Sequence, residues 1–407
     1  MTDEQLTYKP KDEELMNSLS SERQIACDYQ DRRRNDWTDN YELYRNKVRT
    51  NRLTQRQAVG IPLMKETIKT LLGQIDEAPD VTFNENSGDM DKEIYMNEKW
   101  NDFYTTEDLE IKDKQDKKNV LMYGRSFKKL NYLNKKAKLD ILDIYDIVVD
   151  PLTNPIDIET ARFAIHQNIF KTVRQILNDE RYDKEAKDEF KKYLNTHEAW
   201  LKSQINKEEF DRRKERLSAV GVIESDFDKF AADDVIVNLC EHYRKELVNK
   251  KWIWRVYVYA DNNVLLLDDT IENLLGIKTL PLDTWCEDIE TQDFWSDAPA
   301  DTVRTPNKVI NVWFSQMIEN RTLRNFQMQW YDSTVEGYTP QTYEPGPGRM
   351  LPAPGKPSET IMPVEVSGLE ETMNQIEYLV KVVERATGAV ALEKGTGETK
   401  DMTLGEV

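Results

Sequence analysis

An α+β fold that is mainly helical is predicted by three observations on the sequence. Apolar residues recur at helical intervals through much of the chain. Two stretches instead alternate apolar and polar residues on either side of polar turns, as strands do. Hydrophobic residues make up 39% of the chain, with nine Trp and eighteen Tyr, which is enough to build packed cores. The length of 407 residues argues for two or three structural units rather than one.

Taken in order, residues 13–47 place Ile25, Tyr29, Trp37, Tyr41 and Tyr44 at helical intervals, and Leu63 to Ile75 form a second helix that stops before Pro79. The stretch VTFNENSGD reads as a short strand entering a polar turn, and 89–118 return to helix. GRSFKKLNYLNKKAKLDILDIYDIVVDP suggests a hairpin across its KK turn. Residues 171–219 form a highly charged block that reads as a solvated helical hairpin ending near Gly221. VIVNLCEHYRKELVNKKWIWRVYVYADNNVLLLDD reads as a strand, a turn and two further strands closed by DNN. A loop through TWCEDIETQDFWSDAPAD follows, and the Pro/Gly-rich YTPQTYEPGPGRMLPAPGKP is too irregular for an element.

The formal net charge is −19, so the chain does not bind DNA as a free basic protein does. Cys27, Cys240 and Cys286 stand far apart with no CxxC pair, which indicates neither a disulfide framework nor a zinc site and fits a reducing compartment. No apolar run is long enough for a membrane span, and the acidic N-terminus is no signal peptide, so a protein assembled in the cytosol is expected.

The series Asp140, Asp143, Asp146 and Asp150 is the sharpest enzyme-like feature, because clustered carboxylates hold Mg²⁺ for phosphoryl transfer. On a strand, however, Asp143 points away from the other three, so a structural role is favoured, with Asp150 opening a turn before Pro151. His166, His197 and His242 stand alone, in neither HxxxH nor HExxH spacing. Cys240 and His242 alternate with Leu239 and Glu241 in a strand, and nothing there marks a nucleophile. There is no GxxxxGK[ST] loop, and the glycines of GTGE at 395–398 lack the strand-to-helix frame of a phosphate cradle. The catalytic inventory is empty: no enzyme activity, cofactor or metal is expected.

The stretch RTPNKVINVWFSQMIENRTLRNF at 304–326 predicts a helix starting at Pro306, with Thr305 or Asn307 placed to cap it. Steps of 100° put Lys308, Asn311, Ser315, Glu319 and Thr322 on a polar stripe, and Val309, Ile310, Trp313, Phe314 and Met317 on a broad apolar face. Arg321 and Arg324 continue that face. A helix that turns from apolar to cationic suits a packing position between subunits; equally, the arginines snorkel beyond the edge of a core. From Gly368 on, Leu369, Met373, Ile376, Leu379/Val380 and Val383 form a one-sided helix ended by Gly388. Thr403 and Glu406 read as a capping box, so a long helix is expected to begin there.

In that order, WSDAPADTVRTPNKVINVWFSQMIENRTLRNF, the loop ending EPGPGRMLPAPGKP, the amphipathic helix and TLGEV resemble tailed-phage portal proteins. NRLTQRQAVGIPLMKETIKTLLGQIDEAPDVTF resembles the family's helical opening ending in an "EAP-x-V" strand. KKNVLMYGRSFKKLNY resembles its "YG-x-[SA]-F" step, and DIYDIVVDPLTNPIDIETARFAIHQNIF its "DP…D…AR" wing segment, here Asp150, Pro151, Asp157, Ala161 and Arg162. The resemblance covers about residues 30–407, and it rests on the order and spacing of motifs that are each weak alone.

The resemblance implies a portal-like subunit with a helical wing, small β-rich parts, a stem helix and a tunnel loop. Residues 1–80 would be the N-terminal helical part of the wing, and 81–221 the α/β wing with the charged block. Residues 222–300 would be a β-rich region assigned to the clip, 301–338 the stem helix, and 339–407 the loop, tunnel-side helix and start of the long helix, with no crown. It further implies a dodecameric ring at one capsid vertex of the virion, assembled in the host cytoplasm. That ring is the channel for double-stranded DNA packaging and ejection, and it docks the terminase large subunit, a head-tail adaptor or neck protein and the major capsid protein, with no membrane involved. An acidic wall lets DNA slide without sticking. Lys308, Arg321, Arg324, Arg349 and Lys356 are the candidates to face the channel, and Val309, Ile310, Trp313, Phe314 and Met317 those for subunit packing. The rivals are a metal-dependent DNA-processing phage enzyme using the four aspartates, and a capsid scaffold or adaptor protein.

Overall fold

A computed structural model of the chain describes residues 12–47, 59–75, 81–84, 90–133, 136–196, 236–261, 263–325, 329–331, 361–363 and 370–389. The fold is α+β and mainly α. The chain divides into two units. Unit 1 holds Met1–Arg45 and Ile68–Asp301; unit 2 holds Asn46–Thr67 and Thr302–Val407.

Unit 1 opens with α1 (Glu13–Tyr44), followed by α3 (Met90–Thr106) and α4 (Leu109–Tyr123); α2 (Leu63–Gln74) straddles the unit boundary. The helix expected over 89–118 is thus two, because Asp108 takes a left-handed backbone (φ 50) that an aspartate tolerates better than most residues. The strand expected at VTFNENSGD is not formed over residues 81–84. Instead the Asn97 amide stands in for a partner strand: Oδ1 accepts from Phe83 N at 2.9 Å and Nδ2 donates to Phe83 O at 3.1 Å.

Strand β1 (Arg125–Leu133) pairs with β2 (Lys136–Leu142), the hairpin expected across the KK turn. On its other side β1 pairs with β8 (Leu282–Cys286), where the sequence suggests only a loop. A second antiparallel sheet runs β3 (Ile147–Val149), β4 (Phe163–Thr172), β5 (Ile236–Val248), β6 (Lys251–Ala260) and β7 (Val264–Thr270) in that order. The charged block expected from 171 begins as the end of β4, then forms α5 (Val173–Asn178) and α6 (Lys184–Leu194); 197–219 lie outside the described residues. Because β4 and β5 are neighbours, the limit expected at residue 221 divides one sheet, and 222–300 do not stand as a part of their own. Likewise 1–80 fall in both units.

Alternation along β5 and β6 sends side chains to two covered faces. Cys240, Tyr257 and Tyr259 pack with Met16 and Leu19 of α1, while Ala26 of α1 meets Val148, Phe163 and Ile165. Leu239, Val256 and Val258 join the main core with Ile176, Phe190, Tyr193 and Ile271, the last from α7 (Ile271–Leu275). Trp37, fully buried, sits edge-on to Tyr123, Tyr145 and Trp295 at 5.3–6.4 Å between ring centres. Ile25, one of the positions read as recurring at helical intervals, is exposed.

Unit 2 contains most of α8 (Pro299–Asn325), a ribbon of β9 (Gln329–Tyr331) and β10 (Ile361–Pro363), and α9 (Glu370–Thr387). Helix α9 buries Ile376 and Val383 and stops at Gly388 (φ 73), as its periodicity predicts. The Pro/Gly-rich stretch, GTGE and Thr403/Glu406 lie outside the described residues. Among the described residues, no helix is long and apolar enough to cross a membrane.

Candidate functional site

Helix α8 begins at Pro299, not at Pro306, which lies inside it. Its start is fixed within unit 1. Asp301 Oδ2 accepts from Ala298 N at 2.9 Å and from Arg33 at 2.7 Å, and Oδ1 accepts from Asn40 at 2.9 Å. A carboxylate in the first turn satisfies a helix-end donor and favours the positive end of the helix dipole.

In unit 2 the buried stripe of α8 is Val303, Asn307, Ile310, Asn311 and Ser315. Of the expected polar stripe, Asn311 and Ser315 are buried beside Asn307 and supply much of the buried face, whereas Lys308 and Thr322 are exposed. The reason lies in residues 59–62, whose backbone belongs to no strand or helix among the described residues, and in the open first turn of α2 that follows. Val59 N donates to Ser315 Oγ (3.1 Å), Ile61 N to Asn311 Oδ1 (2.8 Å) and Met64 N to Asn307 Oδ1 (2.9 Å), while Asn307 Nδ2 donates to Ile61 O (3.1 Å). Asn307 thus caps the N-terminus of α2 from another helix. This polar face carries out backbone recognition, and nothing in local periodicity reveals it.

Of the proposed packing residues, Ile310 is fully buried, whereas Val309, Trp313, Phe314 and Met317 stay half-exposed and Val312 is exposed. Lys308, Arg321 and Arg324 are exposed; Arg349 and Lys356 lie outside the described residues. The helix therefore presents a half-open apolar flank that leads to a cationic end.

The four aspartates do not converge on one site. Asp140 accepts from Asn131 (2.7 Å) and pairs with Lys138 (2.9 Å); Asp143 caps the 3-10 turn Ile144–Asp146; buried Asp146 accepts from Asn168 (3.0 Å). Asp150 takes a two-pronged bond from Arg162 (2.5 and 2.8 Å) and one from Leu152 N (3.1 Å). Burial raises the Asp150 carboxyl, but Arg162 and the Leu152 amide outweigh it and hold it below the usual 3.8. The segment Asp150…Asp157…Ala161–Arg162 is thus a clasped loop, with Asp157 capping a second turn and Ala161 fully buried. Among the described residues no His, Cys, Asp and Glu gather as a metal would need.

Two histidines are locked into separate polar clusters by strand alternation. Glu241 lies on one face of β5, where Lys129 forms a tight ion pair with it and Tyr243 OH donates to it at 2.9 Å. His166 Nδ1 is 3.2 Å from Lys129 Nζ and 3.8 Å from Glu241. His242, on the opposite face, has Nε2 2.9 Å from Glu22 Oε2 of α1, close enough to attract but off the hydrogen-bond direction. Burial first, then Lys129, holds His166 below the usual 6.5 against the pull of Glu241 and Asp140. Burial first, then Arg244 and Arg23, lowers His242 against Glu22. His197 lies outside the described residues.

For both histidines the unfolded chain binds a proton more readily than the folded one. Stability is therefore full above about pH 6.5 and falls as pH drops through the window below it, by up to about 1.4 kcal/mol per pH unit for each. Urea midpoints measured from pH 7.5 to 5 should decline in the native protein and decline less in His166→Gln and His242→Gln. A flat native profile would refute the assignment.

Comparison of the chain with known protein families and with curated proteins finds no match.

Proposed function

We propose that the chain is a subunit of a tailed-phage portal: a ring that admits DNA to the capsid, releases it and carries the terminase and neck proteins. The observation that carries the reading is the outward apolar flank of α8. Val309, Trp313, Phe314 and Met317 stay only half-buried, while much of the fully buried face is given to Asn307, Asn311 and Ser315 beside Val303 and Ile310. A partly open apolar helix face in a chain of net charge −19 calls for a protein neighbour, and in a ring each copy supplies one. The exposed Arg321 and Arg324 at the end of the same helix supply the few cations that a channel wall needs, and the acidic balance keeps DNA from adhering elsewhere.

The order of elements supports it further. A long helix (α8), a two-stranded ribbon (β9–β10) and an amphipathic helix (α9) follow one another in unit 2. The docking clip is accordingly sought at that ribbon, where residues 331 and 361 are brought side by side, and not at 222–300, whose strands belong to the sheets of unit 1. The nuclease rival draws on Asp140, Asp143, Asp146 and Asp150, each of which is held by its own neighbour.

Negative-stain electron microscopy and mass photometry of the full chain test the reading. A closed ring of roughly a dozen copies around a central hole is the expected result for this closed heterologous assembly. A monomer that cleaves DNA with Mg²⁺, and loses that cleavage as a folded Asp146→Ala variant, would favour the enzyme.

A further inference from the structure

We propose that the β5–β6 ribbon of one copy docks on the open face of α3 in a second copy. The inference rests on the ring reading only in requiring a second copy; it adds which two surfaces meet.

The ribbon outruns its sheet. β4 follows β5 only as far as the Phe163–Arg244 pair, and β7 follows β6 only to Arg255–Thr270. Lys245 and Trp254 are still tied to Arg162 and Glu159; beyond them, Glu246 to Ile253 have no further ladder partner among the described residues and pair with one another through Glu246–Ile253, Leu247–Trp252 and Val248–Lys251. An isolated two-stranded ribbon is marginal in water unless something packs on it. Leu247 and Trp252 face each other across the ladder and are 58% and 68% exposed, a flat apolar plate at the tip. So open a tryptophan is unusual, and tryptophan is among the residues that anchor interfaces most strongly. The turn between the strands is built from Asn249 and Lys250, both at positive φ (49 and 64). Glycine suits the second of these positions best. A lysine there keeps a cation at the tip at a cost in backbone strain, and Lys251 adds a second.

Helix α3 is the opposite kind of surface. It has no buried residue over its whole length, and on its inward side its own Trp100, half-buried, meets Phe83 from the preceding segment and its own Phe103. At 100° per residue, its outward side runs Met90, Ile94, Glu98, Asp91, Asp102, Tyr95. Three exposed carboxylates therefore lie between exposed apolar flanks, with Met90 at 75% and Ile94 at 55%. A cationic tip with an apolar plate matches that face in both charge and greasiness. Within one copy both surfaces stay exposed, so the ribbon of a copy does not cover its own α3. A chain of net charge −19 repels its copies over most of its surface, and an attractive contact must be built where basic meets acidic. Two different surfaces in mutual contact make a heterologous interface, the type that closes into rings.

The test is charge reversal in the full chain, read by analytical ultracentrifugation at low and high salt. Lys250→Glu with Lys251→Glu, and separately Asp91→Lys with Glu98→Lys, should each weaken self-association by about tenfold or more, and the four changes together should restore most of it. All four positions are exposed, and unchanged far-ultraviolet dichroism will confirm folding. Benzoylphenylalanine at position 252, in mixed light and heavy-isotope chains, should crosslink to residues 90–106 of the other isotope. Rings that persist unchanged in both charge-reversed variants would overturn this contact and leave the ring reading standing. Chains that never associate would overturn both. Loss of DNA binding with unaltered assembly in the ribbon variant would overturn the contact in favour of a nucleic-acid surface.

Discussion

Replacing Gly124 by alanine is expected to lower stability by about 3 kcal/mol or more, among the largest effects of any single methyl group in this chain. Gly124 ends α4 with φ +84, and its N–H bonds Val120 O at 2.8 Å. A left-handed backbone alone costs a non-glycine residue about 1–2 kcal/mol. A Cβ would also lie 2.1 Å from Ser296 O and 2.8 Å from its carbonyl carbon. That obstacle is backbone, so the segment carrying buried Phe294 and Trp295 must shift away from the core. Urea denaturation measures it, and a loss below about 1 kcal/mol would show that the segment yields freely.

Lys129→Met is expected to cost about 3–5 kcal/mol, because it leaves Glu241 buried with its chief counter-charge removed. Burial pushes the Glu241 carboxyl up, but the Lys129 charge beside it outweighs that and holds it well below 4.5, so it remains ionised at neutral pH. Pairing Lys129→Met with Glu241→Leu should recover most of the loss, since two apolar groups fill the site without an orphaned charge. Denaturation of both variants decides the matter: equal losses would mean that packing, and not charge pairing, dominates there.

How much of this was legible in the sequence depended on whether the cause was local. The β5–β6–β7 meander and the β1–β2 hairpin could be read because alternation and turn residues lie within a few positions of one another. The end of α9 at Gly388 was legible for the same reason. Strand β8 was not, because its pairing with β1 is set by residues such as Arg125 and Cys286, 161 positions apart. Nor was the buried polar face of α8, since the unpaired amides that Asn307 and Asn311 satisfy come from residues 61–64. Gly124 lies inside YGRSF, but the obstacle that requires a glycine there, Ser296, comes from far along the chain. Which donor Asp140, Asp146 and Asp150 each meet followed only from the fold, because Asn131, Asn168 and Arg162 come to them from other segments.

The reach of these pairings also bears on how the chain folds. The ribbon closes through Val248 and Lys251 and can form on its own within microseconds to tens of microseconds, whereas the β1–β8 rungs and the bonds from residues 59–64 to α8 wait on far larger loop closures. The plate of Leu247 and Trp252 is therefore exposed on partly folded chains early, at the stage when sticky edges most readily join the wrong partner. Exposed Lys250 and Lys251 sit beside it as the kind of charge that discourages unspecific pairing of a sticky tip.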